Sequence, residues 1–206
     1  MEWTIERAVG EGDPGADVLT ALIARTHGVP TDAVQVERSG RGRRARAGST
    51  PVEVSLSRTP GWIAAVCGAP GESGAVGIDA EAWVPFRDSG TRASDFAAVV
   101  LSAEEREWFR AAASATESDR LHWLLRTWVR KEAVLKALGT GFDTARGGLD
   151  PAAVVLGPPW EDPRCTSHPQ VELADRTAGP STAPVLVSLA HGPDLFAALP
   201  SGDRDA

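Results

Sequence analysis

Apolar side chains recur along this chain with two different periods, and the changes of period divide it into strands and helices. Alternation with a period of two predicts a strand, whereas an apolar stripe at every third or fourth residue predicts a helix. In the first run, "EWTIERAV" (2–9), Trp3, Ile5 and, less regularly, Ala8 point to one side. The further elements predicted in this part of the chain are a helix at 17–26, strands at 33–38 and 75–83, and two β-rich runs within 52–68 around a Thr59-Pro60-Gly61 turn.

Two helices are predicted in the second part of the chain, and capping residues support both. The run "LSAEEREWFRAA" (101–112) begins with Ser102 and Glu105, which have the spacing of a capping box. A longer helix is predicted from about Ser118 to Gly139, since glycine commonly follows the last helical residue. The candidate N-caps of this helix are Ser114 and Thr116.

An internal repeat suggests how these elements are arranged. Residues 52–66 and 185–199 align without gaps, and Val, Ser, Leu, Pro and Ala positions coincide. We interpret the repeat as a duplication, with chance similarity between two Val- and Ala-rich hairpins as the alternative. The predicted fold class is therefore α+β, with two similar αβ halves related by a pseudo-twofold axis and a ligand cleft between them.

The predicted divisions of the chain follow from this repeat and from composition. The first αβ half covers 1–75, and the second half, 76–200, carries the long helix. Within it, 157–183 is rich in Pro, Thr and Asp and is predicted to be mostly loop. The end of the chain, 201–206, is predicted to be a frayed tail.

Composition restricts the class of protein. The 206 residues are 42% hydrophobic and 24% charged, which is ordinary for a globular protein. We find neither a secretory signal nor a membrane span, and Cys67 and Cys165 lack metal-ligand spacing, so we expect a cytoplasmic protein with reduced thiols and Cys67 in the core. Monomer is the expected state because a duplication supplies both faces of the cleft.

Charge argues against a nucleic-acid partner, with one local exception. The net charge of −7 is unlike that of a general nucleic-acid binder. The exception is a run of arginines among glycines at 38–46. It is either a solvated, flexible loop or an electropositive lip for a phosphorylated ligand.

Lysine usage draws attention to the long helix. The chain has 21 Lys plus Arg, yet its lysines are Lys131 and Lys136 alone, and the other 19 (21 − 2) are arginine. An ammonium is a compact charge whose pKa can shift, whereas a guanidinium is a permanently charged planar fork. Two lysines so close together therefore predict a specific need for the compact group.

A carboxylate lies where the helix should be apolar. Glu132 falls within the stripe formed by Leu121, Leu124, Leu125, Trp128 and Leu135. A buried carboxylate needs a cation partner or a metal. An ion pair with Lys136, one turn along, is the structural explanation.

A second carboxylate pair favours a metal instead. Asp79 and Glu81 alternate along one predicted strand, which puts both side chains on one face and Ala80 on the other. Together with Glu132 they would supply three oxygen ligands, a set that suits Mg²⁺. A metal clamped by carboxylates beside lysines is typical of enzymes that move phosphorylated groups.

These residues resemble a known family. "VGIDAEAW" (76–83), followed some fifty residues later by "WVRKEAVLKALGTG" (128–141), is similar to the paired signature of the 4′-phosphopantetheinyl transferases. The length, the repeat and the "VSLSRTPGW" segment (54–62) resemble the larger, surfactin-synthetase-activating (Sfp-type) class. The resemblance implies coenzyme A bound between two αβ halves.

The resemblance also implies roles for the charged residues. Asp79, Glu81 and Glu132 would ligate Mg²⁺ on the pyrophosphate of coenzyme A. Lys131 would contact phosphate, and Lys136 would lie at the α-phosphate or take part in proton transfer. Glu132 is the other candidate for the catalytic base, so the catalytic set is Glu132, Lys136 and Lys131.

Two departures from the family pattern concern the coenzyme site. A Ser-His-Ser-like segment of the family reads Ser57-Arg58-Thr59 here, so Arg58 keeps a charge for phosphate but does not titrate. The family's Gly-Lys/Arg-Pro element is present only as Gly40-Arg41-Gly42. The implied coenzyme-binding set is Arg58, Ser57, Arg41, Lys131 and Lys136.

The implied reaction transfers 4′-phosphopantetheine from coenzyme A to a serine of an apo acyl or peptidyl carrier protein and releases adenosine 3′,5′-bisphosphate. We expect the carrier to dock on local apolar surface and a few arginines, with Arg126 and Arg130 as candidates. Two alternatives remain open: a Mg²⁺-dependent phosphodiesterase or nuclease, and a non-catalytic coenzyme A-binding protein.

Overall fold

The protein is a mixed α/β molecule built from small antiparallel sheets and helices. The structure is a computed structural model, and it describes residues 1–8, 12–39, 42–112, 114–141 and 148–192. The strands are β1 (Glu2–Arg7), β2 (Val34–Ser39), β3 (Gly42–Ala47), β4 (Thr50–Val52), β5 (Val54–Thr59), β6 (Trp62–Cys67), β7 (Ala75–Ala82), β8 (Glu172–Ala178) and β9 (Val185–Gly192). The helices are α1 (Pro14–His27), α2 (Trp83–Arg87), α3 (Ala93–Val100), α4 (Ala103–Ala111) and α5 (Glu117–Ala137).

The described strands form three antiparallel three-stranded sheets. Their orders are β1-β6-β5, β2-β3-β4 and β7-β9-β8. Apolar residues of β1, β6, β7 and β9 share one core cluster, so the first and third sheets pack against each other. Strand β5 runs beside β7, which is an edge strand of its own sheet, and this is where the two sheets meet.

Helix α1 covers the first sheet and has well-defined ends. Asp13 accepts a hydrogen bond from the backbone of Ala16, Pro14 occupies the first turn, and Gly28 ends the helix in the left-handed conformation. Its apolar face, which includes Leu19, packs against β6 and the second sheet. Proline in the first turn and glycine just beyond the last turn are the usual positions of these residues at helix ends.

Helix α5 crosses the third sheet and carries both lysines. Thr116 and Asp119 form a capping box at its start. The predicted end is confirmed, because Gly139 follows the last turn with φ +69°. The capping box predicted at Ser102 and Glu105 is also confirmed, at the start of α4.

Two predicted loops contain strands. Residues 42–47 are β3, in which exposed Arg44 and Arg46 alternate with buried Ala45 and Ala47. The alternation was present in the sequence, but the density of charge suggested a loop. The predicted loop at 157–183 contains β8, which supplies the second partner of β9.

The repeat finds only partial support in the sheets. The first and third sheets share one arrangement, in which the last strand lies in the middle. Position in the sheet therefore equates β9 with β6, whereas the ungapped alignment equates β9 with the region of β5. Residues 193–199 of that alignment and the tail at 201–206 lie outside the described residues.

Both cysteines behave as expected from their spacing. Cys67 and Cys165 are free and buried, and Cys67 packs in the core beneath α1. None of the described helices combines the length and the apolar character that a membrane crossing needs.

Candidate active site

Strand β7 presents two carboxylates to helix α5. Asp79 and Glu81 lie on the face that is turned toward the helix, and Ala80 packs on the opposite face with the core of the sheets. This is the arrangement that strand alternation predicts. Glu132 and Lys136 come from α5 and complete what we call the carboxylate site: Asp79, Glu81, Glu132 and Lys136.

Gly77 allows the helix to reach the strand. A Cβ at this position would lie 1.9 Å from the backbone oxygen of Ala133 and 2.7 Å from the backbone nitrogen of Ala137. The two backbones therefore approach more closely than any side chain on Gly77 would permit. The glycine in "VGIDAEAW" thus sets the separation between the carboxylates of β7 and the side chains of α5.

Lys136 is bonded to β7 and not to the neighbouring glutamate. Its Nζ donates to the backbone oxygen of Ile78 at 3.0 Å and to Asp79 Oδ1 at 2.7 Å. The described structure therefore replaces the Glu132–Lys136 ion pair, which was one explanation of the sequence, with a Lys136–Asp79 pair.

The carboxylate site has more negative charge than its one ammonium can neutralise. Burial, and after it the charge of the nearby Asp79, raise the pKa of Glu132 to about 7. The same two causes raise the pKa of Glu81 to about 7. Three carboxylates beside one lysine would leave a net charge of about −2 if all were ionised at their ordinary pKa values.

Two oxygen atoms at this site have no partner. Asp79 Oδ2 and Glu132 Oε1 are buried and accept no hydrogen bond. Buried oxygens without partners are rare in folded proteins, and they fit the requirement of a hard divalent cation for oxygen ligands. No three His, Cys, Asp or Glu side chains within the described ranges are already arranged as a finished metal cage. Binding a cation here would therefore need a movement of Glu132 above all, because hydrogen bonds from Ser57 and Thr59 already hold Asp79 and Glu81.

Ser57 contacts the carboxylate site. It was predicted to bind the coenzyme, but its hydroxyl is buried and donates to Asp79 Oδ1 at 2.8 Å. Its direct contact in the structure is thus with a predicted metal ligand.

Arg58 lies on the opposite face of β5 from Ser57, in an arginine cluster that we define as Arg38, Arg43 and Arg58 around Asp13. Arg43 and Arg58 are hydrogen-bonded to Asp13, and an Arg38 nitrogen lies 3.6 Å from it. The bonds from Arg43 and then Arg58 hold the pKa of Asp13 well below its usual range. Three guanidinium groups share one carboxylate, so the cluster is electropositive. The predicted ligand residue Arg41 lies outside the described residues.

Lys131 lies in a different environment from Lys136. Its side chain is fully buried, and Nζ donates to Glu105 Oε2 at 2.6 Å and to the backbone oxygens of Val100 and Pro151 at 2.8 and 2.9 Å. All three ammonium protons are used, so none is left for a phosphate. We therefore remove Lys131 from the predicted catalytic and coenzyme-binding sets. Burial lowers the pKa of Lys131, which the Glu105 carboxylate opposes.

The family model that matches this chain covers the carboxylate site. The model is that of the 4′-phosphopantetheinyl transferase superfamily, and it matches residues 75–177, which is half of the 206 residues. The chain belongs to this superfamily. The matched segment begins at β7 and contains the whole of α5, so all four residues of the carboxylate site lie inside it.

The chain is also similar, at a lower level, to two solved structures. An ACPS–CoA complex from Chronobacterium ammoniagenes is 22% identical, with a TM-score of 0.35, and the match covers 59% of this chain and 98% of that one. The apo ACPS of the same organism is 20% identical, with a TM-score of 0.33 and the same coverage. No curated protein matches the chain.

The two arginines predicted to dock a carrier protein differ in accessibility. Arg130 is 1% exposed and is bonded to Asp175 and to the backbone oxygens of Pro158 and Glu161, so it is not available for docking. Arg126 keeps an exposed side-chain fraction of 31% while donating to the backbone of Pro159. Of these two arginines, only Arg126 is exposed enough to contact a docking protein.

Sequence reasoning missed three residues that shape the site. Gly77 was noted only as part of a motif, although an isolated glycine within a strand is a signal of close backbone approach. The sequence marks Glu105 as a capping residue but not as the partner of Lys131, and Asp13 is not among the predicted site residues. Neither of the last two contacts has a local sequence signal, because the partners lie far apart in the chain.

Proposed function

We propose that this protein transfers the 4′-phosphopantetheine group of coenzyme A to a serine of an apo acyl or peptidyl carrier protein, with Mg²⁺, as a member of the larger Sfp-type class. The observation that carries the proposal is the pair of buried, unpartnered oxygens on Asp79 and Glu132 beside the Lys136 ammonium. That combination lies within the segment matched by the superfamily.

The proposal assigns the metal to the three carboxylates. Asp79, Glu81 and Glu132 would hold Mg²⁺, which supplies positive charge to the pyrophosphate of coenzyme A. Asp79 would use Oδ2, since its Oδ1 already accepts from Ser57 and Lys136. Burial and the charge of Asp79 raise the pKa values of the other two carboxyls, and a bound cation would offset the repulsion from Asp79.

The remaining roles fall to Lys136 and Glu132. The serine oxygen of the carrier attacks the β-phosphorus, a phosphodiester forms, and the bond to the α-phosphate oxygen breaks to release adenosine 3′,5′-bisphosphate. Lys136 is partly exposed, so its ammonium can turn from Asp79 to a phosphate oxygen. The serine proton goes to the Glu132 carboxylate, since a Lys136 ammonium that neutralises phosphate charge has no lone pair to accept it. Most of the rate enhancement comes from positioning and charge.

The arginine cluster is proposed to bind a phosphate of coenzyme A. Arg58 occupies the position where the family has histidine, and it projects from β5 between two residues that contact the carboxylate site. A guanidinium remains charged at all relevant pH values and binds phosphate in a fork. The proposed contact between Arg58 and phosphate should therefore add little pH dependence to the affinity for coenzyme A.

The cleft is proposed to lie between two αβ halves. Supporting this, the first and third sheets have the same strand order, and they meet where β5 lies beside β7. The carboxylate site is at that junction. In this arrangement one chain supplies both faces of the cleft, which supports a monomer.

The decisive experiment is intact mass spectrometry of an apo carrier protein incubated with the protein, coenzyme A and Mg²⁺. We expect a mass gain of one phosphopantetheine that is abolished by EDTA and by Asp79→Asn. Fatty-acid, polyketide and peptide carriers should be tested together, because the structure does not select among them. Hydrolysis of a diester or nucleic acid without a carrier would favour a phosphodiesterase. Tight coenzyme binding without transfer to any carrier would favour a non-catalytic protein.

A further inference from the structure

Strand β5 presents three buried hydroxyls to β7. Ser55, Ser57 and Thr59 are 9%, 6% and 8% exposed and alternate along one face of the strand. The opposite face carries Leu56, which packs with the α1 core, and Arg58 of the arginine cluster. Since β7 is an edge strand, hydroxyls on β5 can bond both to its unpaired backbone groups and to its side chains.

The direction of the Thr59 hydroxyl is fixed by the backbone of β7. The Ala82 N–H donates to Thr59 Oγ1 at 3.0 Å, so that oxygen already acts as an acceptor. Its single proton is then directed to Glu81 Oε2, also at 3.0 Å. One oxygen of Glu81 is thereby held in place, and the other is left for a ligand.

Ser57 has the equivalent relation to Asp79. Its hydroxyl donates to Oδ1 at 2.8 Å, and Lys136 donates to the same oxygen. Both donors therefore hold one side of the carboxylate. The other oxygen, Oδ2, is the buried one without a partner.

We propose that Ser57 and Thr59 are positioning residues, which orient Asp79 and Glu81 so that one oxygen of each faces the divalent cation. The inference rests on the proposed function, because it assumes that these carboxylates bind the metal. Ser57 and Thr59, which flank Arg58, would therefore act on the metal ligands and would not contact coenzyme A directly. Hydrogen bonds of this kind orient metal ligands in other proteins, and their loss weakens metal binding.

Ser55 provides a matched control on the same face of the strand. Its hydroxyl accepts from the Ile78 N–H at 3.2 Å, which is the same kind of backbone contact that Thr59 makes with Ala82. Neither Asp79 nor Glu81 is its partner in that bond. Ser55→Ala therefore removes an edge contact and leaves the orientation of the carboxylates unchanged.

The test is Mn²⁺ binding to the full-length protein, measured by electron paramagnetic resonance without coenzyme or carrier. We expect Thr59→Val to weaken binding by roughly ten- to a hundredfold, and Ser57→Ala by a similar factor. Thr59→Ser keeps the hydroxyl and should restore binding to within about threefold of the wild type. Ser55→Ala should change binding less than about twofold. Urea unfolding of each variant checks that all are folded.

The outcomes separate this inference from the proposed function. If the wild type binds Mn²⁺ and transfers phosphopantetheine, but Thr59→Val and Ser57→Ala bind normally, the positioning role is wrong and the function stands. Equal losses in Thr59→Val and Ser55→Ala would also overturn it, because the effect would then belong to the strand edge. A wild type that binds no Mn²⁺ would overturn the metal site of the proposed function and this inference together.

Discussion

Two lysines on one helix illustrate two uses of a buried charge. Lys131 faces a single carboxylate, Glu105, and two backbone oxygens, and every one of its protons has an acceptor. Glu105 is equally satisfied, since it also accepts from the backbone of Ser102 and Leu156. Lys136, little more than one turn further along, faces three carboxylates, and two of their oxygens have no partner.

The difference teaches how to tell a structural charge from a functional one. A satisfied buried pair fixes the packing of the elements that contribute to it, here α3, α4, α5 and the turn at Pro151–Ala153. Where three carboxylates surround one ammonium, uncompensated negative charge is left in a buried place, and folding alone would not favour this. Residue type and sequence spacing do not show which of the two lysines is structural and which is functional. The number of partners around each lysine does.

The largest effect is expected from breaking the satisfied pair. Lys131→Met leaves Glu105 buried without its cation, and removing one partner of a buried pair costs about 3–5 kcal/mol of unfolding free energy. Urea denaturation measures this loss. Adding Glu105→Gln should recover part of it, since the buried group is then neutral.

An exposed pair on a neighbouring helix is the control for that prediction. Arg110 and Glu107 pair on the surface of α4, so Arg110→Met should change stability by less than about 1 kcal/mol. If Lys131→Met were as stable as the wild type yet lost transfer activity, Lys131 would have to be returned to the phosphate site.

A large effect on rate, with little effect on stability, is expected at the other lysine. Lys136→Arg keeps the charge, but a planar fork cannot place one compact donor between Ile78, Asp79 and a phosphate oxygen. We expect the transfer rate to fall by about a hundredfold or more. The unfolding free energy should change by less than about 1 kcal/mol, because the side chain is partly exposed.

Single-turnover transfer to an apo carrier measures the rate of this variant. Arg110→Lys, a charge-conserving exchange at an exposed position, should leave that rate unchanged. Wild-type kinetics in Lys136→Arg would show that the compact ammonium is not required, and the argument from lysine usage would then be lost.

The same comparison shows which parts of the structure the sequence could predict. The face shared by Asp79 and Glu81, the ends of α5 and the burial of Glu132 follow from local periodicity and capping, and these predictions agree with the structure. The partner of Lys131 does not follow, because the bond to Glu105 depends on how α4 packs against α5. The capping box at Glu105 was visible, but its burial was a tertiary property.

The errors in the sheets have similar causes. Strand β3 was hidden by its arginines, although its alternating alanines are buried. Strand β8 was hidden by polar residues, and it is held in place by pairing with β9, not by its own pattern. Gly77 shows the converse case: its local signal was present, but its meaning depends on the helix that packs over it.

A pH dependence of the unfolding free energy is expected from the carboxylate site. Glu81 and Glu132 have pKa values raised to about 7 from an ordinary 4.5, so the folded protein binds more protons than the unfolded chain between those values. Stability should therefore be greatest below about pH 4.5 for these groups and be lost as the pH rises through about 7. We expect this fall in the unfolding free energy when Mg²⁺ is absent.

His122 contributes a slope of the opposite sign, so a variant is needed to isolate the site. Burial lowers the pKa of His122, and its contribution to stability is therefore lost as the pH falls. The difference in unfolding free energy between the wild type and Glu132→Gln cancels this term. That difference should grow in favour of the variant from pH 5 to pH 8, and Mg²⁺ should raise the melting temperature of the wild type more at pH 8 than at pH 5. A difference that is flat across this range would mean that Glu132 is ionised to the same extent in the folded protein and in the unfolded chain. Its negative charge would then be balanced by a neighbouring cation, as the charge of Glu105 is balanced by Lys131.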